Sequence, residues 1–180
     1  MFVLGVDPGV SRCGYGCISS GGDDATDAPG GGQPSVVAMG VITTPPSDEL
    51  PARLAALDAE LRRLLAELRP DAVAVERLFF QANARTAMSV GQASGLVLAA
   101  ASGAGARVVQ YTPNEVKQAV AGFGAAPKEQ VQRMVQAQLK LAERPRPADV
   151  ADALAIALCH LAMAPLAARV RAASEMRVAR

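Results

Sequence analysis

The sequence predicts an α/β fold built on a mixed five-stranded sheet. Three observations carry that expectation. Five short apolar runs are spread along the chain, each flanked by turn residues or by segments of helical periodicity. The first three runs follow one another without an intervening helix, so they form an antiparallel meander. The last two are separated by helical stretches, the alternation that goes with a mixed sheet covered by helices.

Each element has its own warrant. Residues 2–7, FVLGVD, are a continuous apolar run that ends in a carboxylate and read as a buried strand. Residues 14–19 are a second strand. The stretch SSGGDDATDAPGGGQPS is rich in Gly, Asp and Pro and reads as a mobile hairpin tip over 19–35. Residues 35–43 make the third strand. A helix over 47–68 follows, because Leu50, Leu54, Leu57, Leu61, Leu65 and Leu68 repeat at three and four and make one apolar stripe. Pro70 ends it. DAVAVE, 71–76, is a short strand that again ends in a carboxylate. Over 83–102 a helix places Ala84, Ala87, Gly91 and Gly95 on one face. Such small residues suit close packing on the sheet, and equally a dimer seam. Residues 107–111 are the fifth strand. Thr112-Pro113-Asn114-Glu115 is a capping box with Pro at the first helical position, so a helix starts there and runs to about 121. GFGAAP is a loop, 128–141 a helix, ERPRP a stiff connector and 147–164 the last helix. Residues 165–180 carry Arg169, Arg171, Arg177 and Arg180 and read as a frayed, flexible basic tail.

Composition narrows the class. With 180 residues, 51% hydrophobic and 19% charged, the chain has one core, 1–164, and no room for a second catalytic unit. Its 37 alanines favour helices. A net charge of +1 excludes a generic polybasic nucleic-acid binder but leaves a local basic face open. The start, MFVLGVDPG, has no basic region and an Asp at position 7, which is not a signal peptide. The uncharged stretch 153–168 is shorter than the roughly 20 residues a spanning helix needs, so no membrane is expected. Cys13, Cys17 and Cys159 are an odd set in a chain that does not look secreted, so free thiols and a cytoplasmic protein are expected. Cys13 and Cys17 lack a second Cys/His pair, which argues against zinc.

The chemistry lies in acids at apolar places. Burying a carboxylate is costly unless something pairs with it. Asp7 closes one apolar strand and Glu76 another. Asp149 and Asp152 open the last helix at i, i+3, on one face of its first turn. Each has a plain structural reading: a turn starter, a surface ion pair, a cap. Taken jointly, three separate segments of an apolar core each deliver a carboxylate, with no His or Cys ligand set beside them. Clustered carboxylates repel unless a cation lies between them, and oxygen-only ligation suits Mg²⁺ or Mn²⁺. Two such ions stabilise attacking and leaving oxygens in an in-line phosphoryl displacement. The residues therefore point to a metal-dependent phosphodiesterase or phosphotransferase.

Four motifs in order, GVDPGVSRCGYG, AVERLFFQANARTA, YTPNEVKQAVAGFGAAPKEQVQRMV and RPADVADALAIALCH, closely resemble the RuvC family of Holliday-junction resolvases. The resemblance runs from Met1 to about Pro165. It implies an RNase H-like fold and a homodimeric endonuclease. Such an enzyme nicks two opposed strands of four-way junction DNA and leaves 5′-phosphate and 3′-hydroxyl ends. It further implies two Mg²⁺ ions per site, replaceable by Mn²⁺, and RuvA and RuvB as branch-migration partners. The family's metal-binding and catalytic acids fall on Asp7, Glu76, Asp149 and Asp152. Some relatives carry His where Asp149 stands, which leaves the roles of the two aspartates undivided. The family's two lysines fall on Lys117 and Lys128, where each would hold a phosphate or neutralise transition-state charge. The Phe after the catalytic Glu falls on Phe79, suited to stacking on an unpaired base. Gln81, Asn83 and Arg85 lie beyond it as DNA contacts, with Arg12 and Arg77 nearby in the motifs.

The sequence departs from the family pattern in the acidic, glycine-rich segment 21–33. A basic face made of Arg12, Arg77, Arg85, Lys117, Lys128 and Arg133 would reconcile DNA binding with a near-neutral chain. Three other readings stay open at this point. One is an actin-like sugar kinase, for which the chain is too short. Another is a catalytically silent junction-binding module, against which all four acids speak. The last is an RNase H-type nuclease with a different substrate.

Overall fold

The computed structural model describes residues 1–20, 32–77 and 84–178. The elements in chain order are β1 (Phe2–Asp7), β2 (Arg12–Ser19), β3 (Ser35–Thr43), α1 (Leu50–Leu68), β4 (Ala72–Glu76), α2 (Ala84–Gly103), β5 (Arg107–Tyr111), α3 (Pro113–Ala121), α4 (Lys128–Gln138) and α5 (Ala148–Val178). The strands form one sheet in the order β3-β2-β1-β4-β5. β1, β2 and β3 pair antiparallel, and β4 and β5 join parallel to β1 and to each other. This is the mixed sheet the sequence predicts. Of the tip expected over 19–35, residues 21–31 lie outside the described residues, while Ser19 and Ser35 are paired strand residues of β2 and β3.

Side chains alternate across the sheet, so the one expected core is split into two, one on each face. On one face Val3, Ile18 and Ala74 pack with Val116 and Val120 of α3, Val131 and Val135 of α4, and Leu154 and Ile156 of α5. On the other, Leu4, Val6, Val73 and Val75 pack with Leu57, Leu61 and Leu65 of α1 and with Ala93 and Val97 of α2. Burying each Leu or Val contributes about 1.5–3 kcal/mol. The thiols follow the layers: Cys13 and Cys17 lie in the second core and Cys159 in the first. All three are free and buried. Burial pushes Cys13 and Cys159 up to about 12 and Cys17 to about 11, so none is a reactive thiolate at neutral pH.

Three element readings are corrected. The stripe of α1 holds from Leu54 to Leu68, with Leu57, Leu61, Leu64 and Leu65 buried and Leu54 and Leu68 partly buried, but Leu50 is exposed. The helix begins only at Leu50. On α2 the sheet-facing residues include Ala93, Val97, Ala100 and Ala101, whereas a Cβ added to Gly91 or Gly95 would meet nothing within 4 Å. Those two glycines do not pack on their own sheet. Helix α5 runs to Val178, past the expected stop near Ala164. Residues 166–178 are mostly Ala, Arg, Leu, Met and Glu, strong helix formers that carry the helix beyond Pro165.

Candidate active site

The strand period and the register bring the acids together. Asp7 lies two residues beyond Gly5 and Glu76 two beyond Ala74, so both point to the α5 face of the sheet. Val6 pairs with Val75 in the parallel β1–β4 ladder, which sets Asp7 beside Glu76 one step on. On its other side Asp7 pairs with Gly14 of β2. A Cβ at Gly14 would collide with the backbone carbonyl of Asp149, and one at Gly5 with the carbonyl of Ala153. At Gly16 it would run into Leu154 Cδ2 at 2.6 Å. Three missing side chains thus let the first turns of α5 lie almost on the sheet. They carry Asp149 and Asp152 to the end of β1.

The electrostatics show how close these groups are. Burial, then the charges of Asp152, Glu76 and Asp149, push Asp7 up to about 7, against a smaller opposing effect of Lys128. Glu76 is also raised, by burial first and then by Asp152, while Lys128 and Lys117 pull the other way. Two cations are already engaged. Lys128 Nζ lies 2.5 Å from Asp152 Oδ2, and that hydrogen bond raises the lysine above its ordinary value. Arg12 donates from Nη2 and Nε to Asp149 Oδ2 at 2.8 and 3.1 Å. Burial works against Asp149, but the bond from Arg12 holds it below its ordinary value.

Among the described residues no three of His, Cys, Asp and Glu form a ready metal cage. Asp149 and Asp152 are paired with Arg12 and Lys128. The donor set nevertheless fits a hard cation. It is all carboxylate oxygen, and Asp7 at about 7 marks a place short of positive charge.

Of the expected site residues, the structure gathers Asp7, Glu76, Asp149, Asp152 and Lys128, with Lys117 near enough for its charge to be felt at Glu76. Arg12 joins through Asp149. Arg77 is exposed after β4; its backbone N–H donates to Tyr111 O at 2.7 Å, and its charge is felt at Glu115 rather than at the acids. Arg133 pairs with Glu129 on α4, 3.3 Å away. Phe79, Gln81 and Asn83 lie outside the described residues, as does the side chain of Arg85 at the start of α2.

Sequence reasoning missed the supports. Gly14 and Gly16 stood in view as GYG but carried no sign of what they face. The turn after Asp7 is pinned from α1: Arg53 donates to Thr44 Oγ1 at 2.9 Å and to Ser11 Oγ at 2.5 Å, and Thr44 donates to Val10 O at 2.7 Å. Nothing in the spacing of Ser11, Thr44 and Arg53 announces that network.

Known proteins resemble this chain in sequence and fold. The family model for crossover junction endodeoxyribonuclease RuvC matches residues 3–160. A crossover junction endodeoxyribonuclease RuvC of Moorella thermoacetica is 51% identical over 165 residues, 92% of this chain and 93% of that one. The structure of Thermus thermophilus RuvC superposes with a TM-score of 0.82 at 41% identity, covering 93% of this chain and 97% of that one. T. thermophilus RuvC in complex with a Holliday junction substrate gives 0.80 at 38%, over 92% and 96%.

Proposed function

The chain belongs to the RuvC family of crossover junction endodeoxyribonucleases, and from that membership we infer that it is a structure-specific endonuclease that resolves Holliday junctions. Its sheet and helices are the RNase H-like fold of that family. The family's nucleases are metal-dependent. One observation carries the residue assignment: acids from β1, β4 and α5 converge beside two lysines, at a spot where Asp7 is driven to about 7.

We propose Mg²⁺ as the metal, two ions per site with Mn²⁺ able to replace it, held by Asp7, Glu76, Asp149 and Asp152. Bound there, the ions would supply positive charge for activating water and for stabilising the leaving 3′ oxygen. The chain's own residues do the rest. Asp7 and Glu76 stand on paired strands, so their spacing does not drift. Lys128 and Arg12 neutralise the aspartates of α5 until a metal and a scissile phosphate arrive, and are then free to turn to the phosphate. Lys117 offsets charge on the Glu76 side. Phe79, Gln81, Asn83, Arg85 and Arg77 are proposed as DNA contacts on the family pattern. Proposed partners are a second copy of the chain and the RuvA and RuvB branch-migration complex, with the cytoplasm as the place of action. Support for the dimer comes from α2, where Gly91 and Gly95 face open space and Met88 is 65% exposed.

The test is cleavage of a synthetic four-way junction with and without Mg²⁺, beside a linear duplex and an RNA–DNA hybrid. Symmetric, metal-dependent nicking of the junction alone is expected. Equal cutting of the hybrid would mean another RNase H-type nuclease.

A further inference from the structure

The net charge of +1 is not evenly spread. Residues 128–148, α4 and the connector into α5, carry Lys128, Arg133, Lys140, Arg144 and Arg146 against Glu129 and Glu143, a local net charge of +3. A groove of about 580 Å³ lies there, lined by Gln132, Arg144, Pro145, Arg146, Pro147 and Ala148. A second, of about 470 Å³, shares both arginines and adds Gln136 and Glu143. Arg144 and Arg146 are exposed, while Pro145 between them is buried and anchors the connector. Gln136 ties the same connector to α4 by donating to the Leu141 and Ala142 carbonyls, each at 3.3 Å. The guanidiniums therefore stand on a held support.

Their charge is only partly used. Glu129 Oε1 meets Arg133 Nη2 and Arg144 Nη1, each at 3.3 Å, so one carboxylate serves two cations. Among the described residues Arg146 has no ion-pair partner. The lining of the first groove ends at Ala148, one residue before Asp149 in the chain. No aromatic side chain lines it.

We propose that this groove is a track for the sugar–phosphate backbone of one duplex arm of the substrate, with Arg144 and Arg146 each meeting a phosphate. The inference rests on the endonuclease reading above. Guanidinium matches phosphate geometry with two parallel donors, and the side-chain amides of Gln132 and Gln136 add neutral ones. A groove without stacking surfaces holds backbone and does not read bases.

The test measures binding of a four-way junction and of a linear duplex over a salt series, in an Asp7→Asn background. The Arg144→Ala/Arg146→Ala double variant should lower the magnitude of the log K against log salt slope by about 2, at roughly 0.9 per phosphate lost. Affinity should fall about tenfold or more at moderate salt, alike for junctions of different sequence. Lysine at both positions should keep the slope. Glu129→Gln, which frees Arg133 and Arg144, should tighten binding and steepen it. An unchanged slope in a folded double variant would overturn the proposal, as would a loss confined to one junction sequence. Should the double variant not fold, an unchanged affinity in Glu129→Gln overturns it instead. A parent that binds junction no better than duplex counts against the resolvase reading alone, because the groove is still read from the duplex slope.

Discussion

At the scale of single side chains, Asp7 works against the fold that holds it. Its carboxyl is pushed from 3.8 to about 7, so the folded state binds its proton more tightly than the unfolded chain does. That contribution is fully present below pH 4 and is lost as pH rises through 7. Asp7→Asn should therefore stabilise the metal-free protein at pH 8 by about 1–4 kcal/mol, at 1.36 per pKa unit. The gain should fade as pH drops toward 4, which a series of melting curves in EDTA would show; a gain independent of pH would refute the electrostatic account. The same variant should bind junction and lose at least about 1,000-fold in cleavage. Lys128→Met removes the cation that faces Asp152, and its melting temperature should drop more in EDTA than in millimolar Mg²⁺. On β5, where Tyr111 pairs with Glu76 of β4, its hydroxyl meets buried His160 Nδ1 at 2.8 Å. Tyr111→Phe strips that partner and should cost about 1–3 kcal/mol by chemical denaturation. Burial, then the charge of Arg107, lowers His160. Stability from this neutral imidazole is present above its ordinary value near 6.5 and is lost as pH falls below it.

At the scale of elements, the placement of α5 depends on what β1 and β2 leave out. Gly14→Ala puts a methyl group into the Asp149 backbone, and the helix must retreat. A displacement of about 1 Å at the acids is enough for a hundredfold loss. Cleavage by Gly14→Ala should fall at least that far while far-UV circular dichroism shows the helices intact; near-normal cleavage would mean that α5 tolerates the shift. This is where sequence reading stops. The acids were legible because a carboxylate at the end of an apolar strand has few other uses. Strand alternation put Asp7 and Glu76 on one face, and the i, i+3 step put Asp149 beside Asp152. The glycines were not legible, because a residue with no side chain gives no sign of what approaches it. The Arg53–Thr44–Ser11 net was hidden for a related reason: it joins residues far apart in sequence that share no period. At the far end of α5, the arginine-rich stretch read as a frayed tail, yet the helix formers within it carried more weight.

At the scale of the whole molecule, four motifs spread over most of the chain made the fold and activity legible together, while the net charge averages over a local excess of cations. A chain of +1 with +3 over residues 128–148 has its cations beside its acids. The two-fold assembly proposed through α2 has its own test. Gly95→Leu fills space that is open in the single chain, so monomer stability should hold or rise, by up to about 1 kcal/mol for replacing a helix-interior glycine. Sedimentation should show dissociation, and paired nicks should become single ones; an intact dimer would place the seam elsewhere.

The three thiols offer a way to watch the molecule breathe. None reacts while the protein is closed, so a maleimide or disulfide reagent works as a clock that advances only when a layer opens. Cys13 and Cys17 keep time for the side covered by α1 and α2, Cys159 for the side covered by α3, α4 and α5. Comparing their modification rates by mass spectrometry, with no engineered label, would show which side of the sheet lets go first.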